Sequence, residues 1–554
     1  MAGAQVLTGL AFRMLEAKKN LVITRRNFLQ RSTALATTLV PGTKHLLRAM
    51  VHSATRMPVA LDVNTLAKFV DPLSLPAVAR SQGRRTSPTD PKTSVPYYRV
   101  EAQATSYKVH RDLPATTFWS FGSSVPGPTF ETRTGEPVLV EWVNGLPGAH
   151  FLPVDHSIHG AESDKPEVRS VVHLHGAKTR PESDGYPEDW IVPGKSALYY
   201  YPNEQDAAML WYHDHALGIN RLNVYAGLLG AFLIRDSVED ALNLPSGKCE
   251  LPLILYDRLL TPKGQLVYPV SPDPQAPWVP EVFGNAILVN GKLFPYLEVE
   301  PRRYRFRLLN GSNARIFHLS LENDAPFHQI GTDQGLLPAP VPLTRLDIAP
   351  GERADLVIDF SEHRGAQLVF KSDAFVVMQF RVSPGKVSDT SSLPSTLRAV
   401  PKIPESQAVQ TRLLTLDEYV NKSGNSAMLL LNATHWKAPI TEKPVLGSTE
   451  IWTLINPTND THPIHLHLVR FQILDRQTYE PWLFQTKRQL HFLGDREPPD
   501  PNEAGWKDTV QAHSRMVTRI IVPFEGFTGR YVWHCHILEH EDNEMMRPYE
   551  VVGS

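Results

Sequence analysis

Four His-x-His pairs stand in this chain: His173/His175, His213/His215, His465/His467 and His534/His536. Chance placement of 22 histidines among 554 residues gives about one such pair. On a β-strand, residues i and i+2 share a face, so each pair offers two imidazoles to one side. Eight imidazoles exceed the four ligands usual for zinc, and the pattern predicts a cluster of several metal ions. Imidazole suits zinc, copper, iron or nickel, so the histidines alone do not choose. Cys535 does: it lies between His534 and His536 and faces the other side of their strand. His462 lies upstream, and His540 and Met545 follow Cys535 at steps of five. Two imidazoles, a thiolate and a weak thioether describe a blue copper site, with Met546 the alternative to Met545. One strand would then join a one-electron centre to a cluster that needs several electrons at once.

Strands must position these groups. Short runs rich in β-formers and bounded by Gly, Pro and Asn include 137–142, 231–234, 304–309 and 515–522. The run at 304–309 alternates aromatic residues with Arg305 and Arg307, which predicts a half-buried strand. Polar, proline-rich stretches at 81–96 and 382–407 read as a loop and a linker, and 236–248 as a third break. Tyr268 to Pro280 reads as a long loop. Domains of 140 to 150 residues as β-sandwiches fit these breaks. The two pairs near the first third of the chain echo the two near its end, so the outer domains look related. The middle domain carries no pair. The metal cluster is therefore expected between the first and third domains, with the middle one as spacer or wall.

His-Leu-His-Gly at 173–176, His-Asp-His at 213–215, His-Pro-Ile-His-Leu-His at 462–467 and the run from His534 to Asp542 together resemble the copper motifs of the multicopper oxidases. The stretches 151–156, 183–188, 221–227 and 505–509 are similar to the spore-coat laccase and bilirubin oxidase branch, and the likeness runs from about residue 65 to the end. The resemblance implies an all-β protein of three consecutive cupredoxin-like Greek-key β-sandwich domains at 96–240, 241–395 and 405–554. It also implies four copper ions. His462, Cys535, His540 and Met545 would hold the type 1 copper, and His173 and His465 the type 2 copper. His175, His213, His215, His467, His534 and His536 would hold the type 3 pair. Asp184 and Glu541 match carboxylates that the family places beside the cluster, where they would relay protons. The implied activity is one-electron oxidation of phenols, aromatic amines or bilirubin-like pigments, coupled to reduction of dioxygen to water. The stretch from Ser372 to Met378 is shorter than its counterpart near the substrate pocket of the spore-coat enzymes.

The remaining composition narrows the field. Net charge is −2, which gives no basic excess for nucleic acid. With Cys535 on copper, Cys249 has no partner and is expected to be a buried free thiol. Residues 1–53 are basic and contain Thr24-Arg25-Arg26-Asn27-Phe28-Leu29 before a short apolar run, which resembles a bacterial twin-arginine export signal; residues 54–95 follow as an extension. Export to the periplasm or outside the cell, with no membrane span, is expected of a monomer working on dioxygen and a small aromatic reductant. A cuprous ion oxidase is the rival enzyme, although methionines do not cluster beyond Met545 and Met546. A copper carrier or a scaffold without metal would be free to lose some of these ligands, and none is missing. The other twelve histidines, His156 and His159 among them, are expected to be surface or core groups.

Overall fold

A computed structural model describes residues 59–273, 277–420 and 426–553. The predicted export signal lies outside the described residues. The chain is nearly all β, and its strands fall into three successive stretches, each with two sheets. In the first stretch, Ser94–Tyr107 pairs with Arg84–Thr86, Thr116–Phe121 and Val138–Asn144, and Ser196–Tyr201 pairs with Val138–Asn144. Facing it is the sheet Phe130–Arg133, Leu229–Arg235, Ala208–Asp214 and Val172–His175. The middle stretch runs from Glu250–Leu260 to Phe375–Val382, and the third from Ala408–Val420 to Met546–Val551.

Each stretch fills its interior with the inward residues of its strands. In the first, Phe121, Phe130, Trp142 and Tyr212 pack as one aromatic group, with Trp142 and Tyr212 ring centroids 5.0 Å apart. In the middle, Phe306, Phe360 and Phe380 do the same. In the third, Trp452, Trp533 and Tyr549 pack in the cluster that also contains Cys535. Buried rings of this size dominate core energetics.

The echo between the ends of the sequence is an echo in register. Val172–His175 runs antiparallel to Ala208–Asp214 with His173 opposite His213. His462–Leu466 runs antiparallel to Gly529–Cys535 with His465 opposite His534.

Two local expectations are corrected. The stretch 81–96 is not simply a loop: Arg84–Thr86 pairs with Ser94–Pro96, closed by a bond from Ser87 N–H to Thr93 carbonyl. The run at 304–309 is not half-buried, since Arg305 and Arg307 are as buried as the aromatic residues between them. Carboxylates explain the burial. Arg305 donates to Asp355 (2.9 Å) and Glu239 (3.1 Å), and Arg307 donates to Glu239 (2.7 Å) and Glu250 (2.8 Å). Glu239 comes from the break at 236–248, where Ser237–Ala241 forms a short helix capped by the Asp236 side chain, which accepts from Glu239 N–H. Buried charges survive only with such partners.

Candidate metal centre

The paired histidines sit where their strands end. His175 closes its strand, and His215, His467 and His536 come just after theirs. All eight are fully buried. The pairs His213/His215, His465/His467 and His534/His536 divide their members between different groups. His175, His213 and His536 form one triad and His215, His467 and His534 another, each with ligand-capable atoms within 4.8 Å of one another. His173 and His465 lie together with His175. His173 stacks on His467 and His175 on His465, each at 3.6 Å between ring centroids. The residues expected to form the cluster therefore converge, with both outer stretches contributing to every group.

Ring orientation follows from the partners. A carbonyl can only accept, so a ring nitrogen facing one carries the proton. Nδ1 of His173 donates to the Asp184 carbonyl (2.7 Å), that of His213 to the Asp214 carbonyl (2.8 Å) and that of His465 to the Asp508 carbonyl (2.8 Å). Their Nε2 atoms are thus unprotonated, and these buried atoms find no hydrogen-bond partner among the described residues. His175 is reversed: its Nε2 meets the Asp508 carboxylate at 3.0 Å, and its Nδ1 is the atom without a partner. The Nε2 atoms of His215 and His467 lie 3.2 and 3.3 Å from that of His534. Neutral nitrogens facing one another in a buried space are a donor set suited to metal ions. Burial, followed by mutual repulsion, holds His173, His467 and His536 well below the usual imidazole range. Burial likewise brings His215 and His534 to about 4.

On the other face of the last strand, Cys535 Sγ lies 3.6 Å from His462 Nδ1 and 3.7 Å from His540 Nδ1. Thr458 Oγ1, 2.8 Å from His462 Nε2, fixes the ring so that Nδ1 faces the sulfur. The backbone N–H of Ile537 donates to Sγ at 3.4 Å. Met545 packs in the same core cluster as Cys535, and its carbonyl accepts from the Cys535 N–H. Met546 belongs to a different packed group, with Tyr186, Leu217, Trp436 and Val532. These surroundings favour Met545 over Met546.

Both carboxylates expected beside the cluster are buried there. Asp184 Oδ2 accepts from His467 Nδ1 at 2.8 Å, and burial lifts this carboxyl well above its ordinary range. Gly185 permits the approach. At φ 81° it brings the loop so near the Val172 carbonyl that a Cβ would stand 2.2 Å from the oxygen. Glu541 Oε1 accepts from Asn220 at 2.7 Å, its Oε2 lies 3.1 Å from His534 Nδ1, and burial raises its pKa to about 7. His156 and His159 stand apart from these groups, His159 facing Glu544 at 3.1 Å. Cys249 is a buried free thiol.

The middle stretch, expected as spacer or wall, also supplies side chains that hold the site, which the sequence reading missed. Arg353 donates to the Asp508 carboxylate (2.7 Å) and to the Met209 carbonyl (3.0 Å). Lys507 lies 3.0 Å from both Asp333 and Glu352. Gly351, at φ 83°, sits against His536 so closely that a Cβ there would stand 2.7 Å from the ring. Asp508 was in view only as part of the similarity at 505–509.

Comparison with known proteins agrees with this geometry. Two family profiles described as "Multicopper oxidase" match residues 164–239 and 407–553. The chain is 45% identical to a laccase of Bacillus subtilis over 515 residues, covering 88% of this chain and 99% of that one. It is 38% identical to a laccase of Haloferax volcanii, covering 95% and 90%. Among solved structures, a multicopper oxidase of Pediococcus acidilactici superposes with a TM-score of 0.72 at 28% identity, covering 88% of this chain and 93% of that one. The chain belongs to the multicopper oxidase family. It is a copper-dependent oxidoreductase of the laccase type that uses dioxygen, and its domains are cupredoxin-like.

Proposed function

We propose that the chain oxidises small phenols, aromatic amines or bilirubin-like pigments one electron at a time and reduces dioxygen to water, after export from a bacterial cell. The observation that carries this reading is the Cys535 strand, whose two faces serve two different clusters of ligand atoms. His462, Cys535, His540 and Met545 would hold the type 1 copper. His173 and His465 would hold the type 2 copper, and His175, His213 and His536 with His215, His467 and His534 the type 3 pair. Bound there, copper supplies the one-electron redox chemistry. The rest falls to the chain. Four electrons and four protons turn dioxygen into two waters, so protons must reach a dry site. Glu541 can hold and release one at Oε2, because its pKa of about 7 lies near neutral pH. Asp184 holds His467 by its Nδ1, its second oxygen has no hydrogen bond among the described residues, and it can hold another proton. The domain limits 96–240, 241–395 and 405–554 and a monomeric state belong to the same reading.

The test is a visible spectrum and copper count, then oxygen uptake with a phenol, bilirubin and cuprous ion in parallel. About four coppers per chain, a blue thiolate band and uptake with the organic reductants are expected. Uptake with cuprous ion alone would replace this reading with that of a metal oxidase.

A further inference from the structure

Asp508 touches two of the stacked imidazoles by two different groups. Its carbonyl accepts from His465 Nδ1, and its side-chain Oδ1 meets His175 Nε2 at 3.0 Å. One residue thus sets opposite ring tautomers in neighbours whose planes lie 12° apart. His465 presents Nε2 to the cluster and His175 presents Nδ1. Thr509 Oγ1 reinforces the second choice at 3.2 Å from His175 Nε2.

The carboxylate is itself held from the middle stretch. Arg353 Nη1 donates to Oδ1 at 2.7 Å, Arg353 Nη2 donates to Oδ2, and Gln334 donates to Oδ2 at 2.6 Å. Arg353 is fixed in turn by the carbonyls of Met209, Gly351 and Asp333. Asp333 Oδ2 faces the backbone N–H groups of Asp508 and Thr509 and the ammonium of Lys507. Every member of this set is buried. A bidentate arginine–carboxylate pair fixes both partners in direction as well as in distance.

We infer that Asp508 and Arg353 are positioning residues for the cluster: Asp508 sets which nitrogens of His175 and His465 face the metal, and through Arg353 the middle stretch holds the carboxylate that orients His175. The inference rests on the copper reading above. An asparagine at 508 has one acceptor oxygen where the carboxylate serves Arg353, Gln334 and His175, so at least one donor would face an N–H. The carbonyl contact to His465 would remain, and His175 is the ring that would lose its orientation.

The test compares the copper-loaded wild type with Asp508→Asn, Arg353→Met and Arg353→Lys. Readouts are chelator competition for copper, the magnetic resonance signature of the cluster, the thiolate band and the melting temperature. Asp508→Asn and Arg353→Met should weaken cluster copper by about 10- to 100-fold and alter its signature, with the thiolate band unchanged. Arg353→Lys, which keeps the charge but not the fork, should lie between them and the wild type. Unchanged cluster copper in Asp508→Asn would overturn the inference. So would equal loss from both centres in step with a fall in melting temperature, since that marks general loosening. If a variant does not fold, Arg353→Lys carries the same comparison. Wild type that takes up no copper would defeat the functional reading instead.

Discussion

The two faces of the strand Gly529–Cys535 serve two clusters of ligand-capable groups with very different origins in the chain. The Cys535 centre is drawn entirely from residues 458–545, with its nearest supports, Thr458 and the Ile537 N–H, in the same stretch. The eight-histidine cluster is drawn from both outer stretches, and one of its rings, His175, is oriented by a carboxylate gripped from the middle one. The first is a local product of one sandwich, and the second exists only when all three stretches are docked. Treatments that loosen docking should therefore harm the cluster before they harm the thiolate centre.

The largest effect expected is from Cys535→Ser. It should abolish the blue band and reduce oxidation of organic substrates to background, while copper analysis shows a loss of about one ion. Retention of the colour would remove Cys535 from the centre. Next, Glu541→Gln should slow oxygen uptake by about 10²- to 10⁴-fold and leave the band in place. An unchanged rate would exclude Glu541 as a proton carrier. Thr458→Val should weaken copper at the thiolate centre by about tenfold and spare the cluster, the mirror image of Asp508→Asn. Chelator titration followed at the two signatures would show whether the centres separate in this way.

The smallest effect at neutral pH concerns the carboxylate–arginine clamp. Burial opposes ionisation of Glu239, but the charges of Arg307 and Arg305 outweigh it, and Arg235 adds to them, so its pKa falls from 4.5 to about 2. Glu250 and Asp355 share the same arginines. A group depressed on folding stabilises the fold above its unfolded pKa, and that stabilisation fades as pH drops toward the folded value. Melting temperature should therefore decline between about pH 4.5 and about pH 2, and in Glu239→Gln this part of the decline should be absent. An equal slope in wild type and variant would show that the clamp does not contribute.

The histidine pairs were legible because strand geometry has a period of two and the ligands obey it. Cys535 was legible for the same reason, since alternation alone places it opposite its neighbours. What could not be read were contacts without a period. Arg353 and Asp508 stand 155 positions apart, and nothing local in either segment announces the other. The same blindness produced the error at 304–309. Alternating arginines look solvated until carboxylates from Glu239, Glu250 and Asp355 arrive from distant parts of the chain. Met545 and Met546 are adjacent in sequence, and it is packing that separates them.

Gly351 turns this dependence into a matter of clearance. Between its α-carbon and the His536 ring there is no gap into which even one methyl group would fit. The middle sandwich thus works as a stop against which the last histidine is seated, so this seam cannot gain a single carbon without moving the His536 ring. Wear in such a joint would show first as a misaligned ring rather than as an unfolded domain.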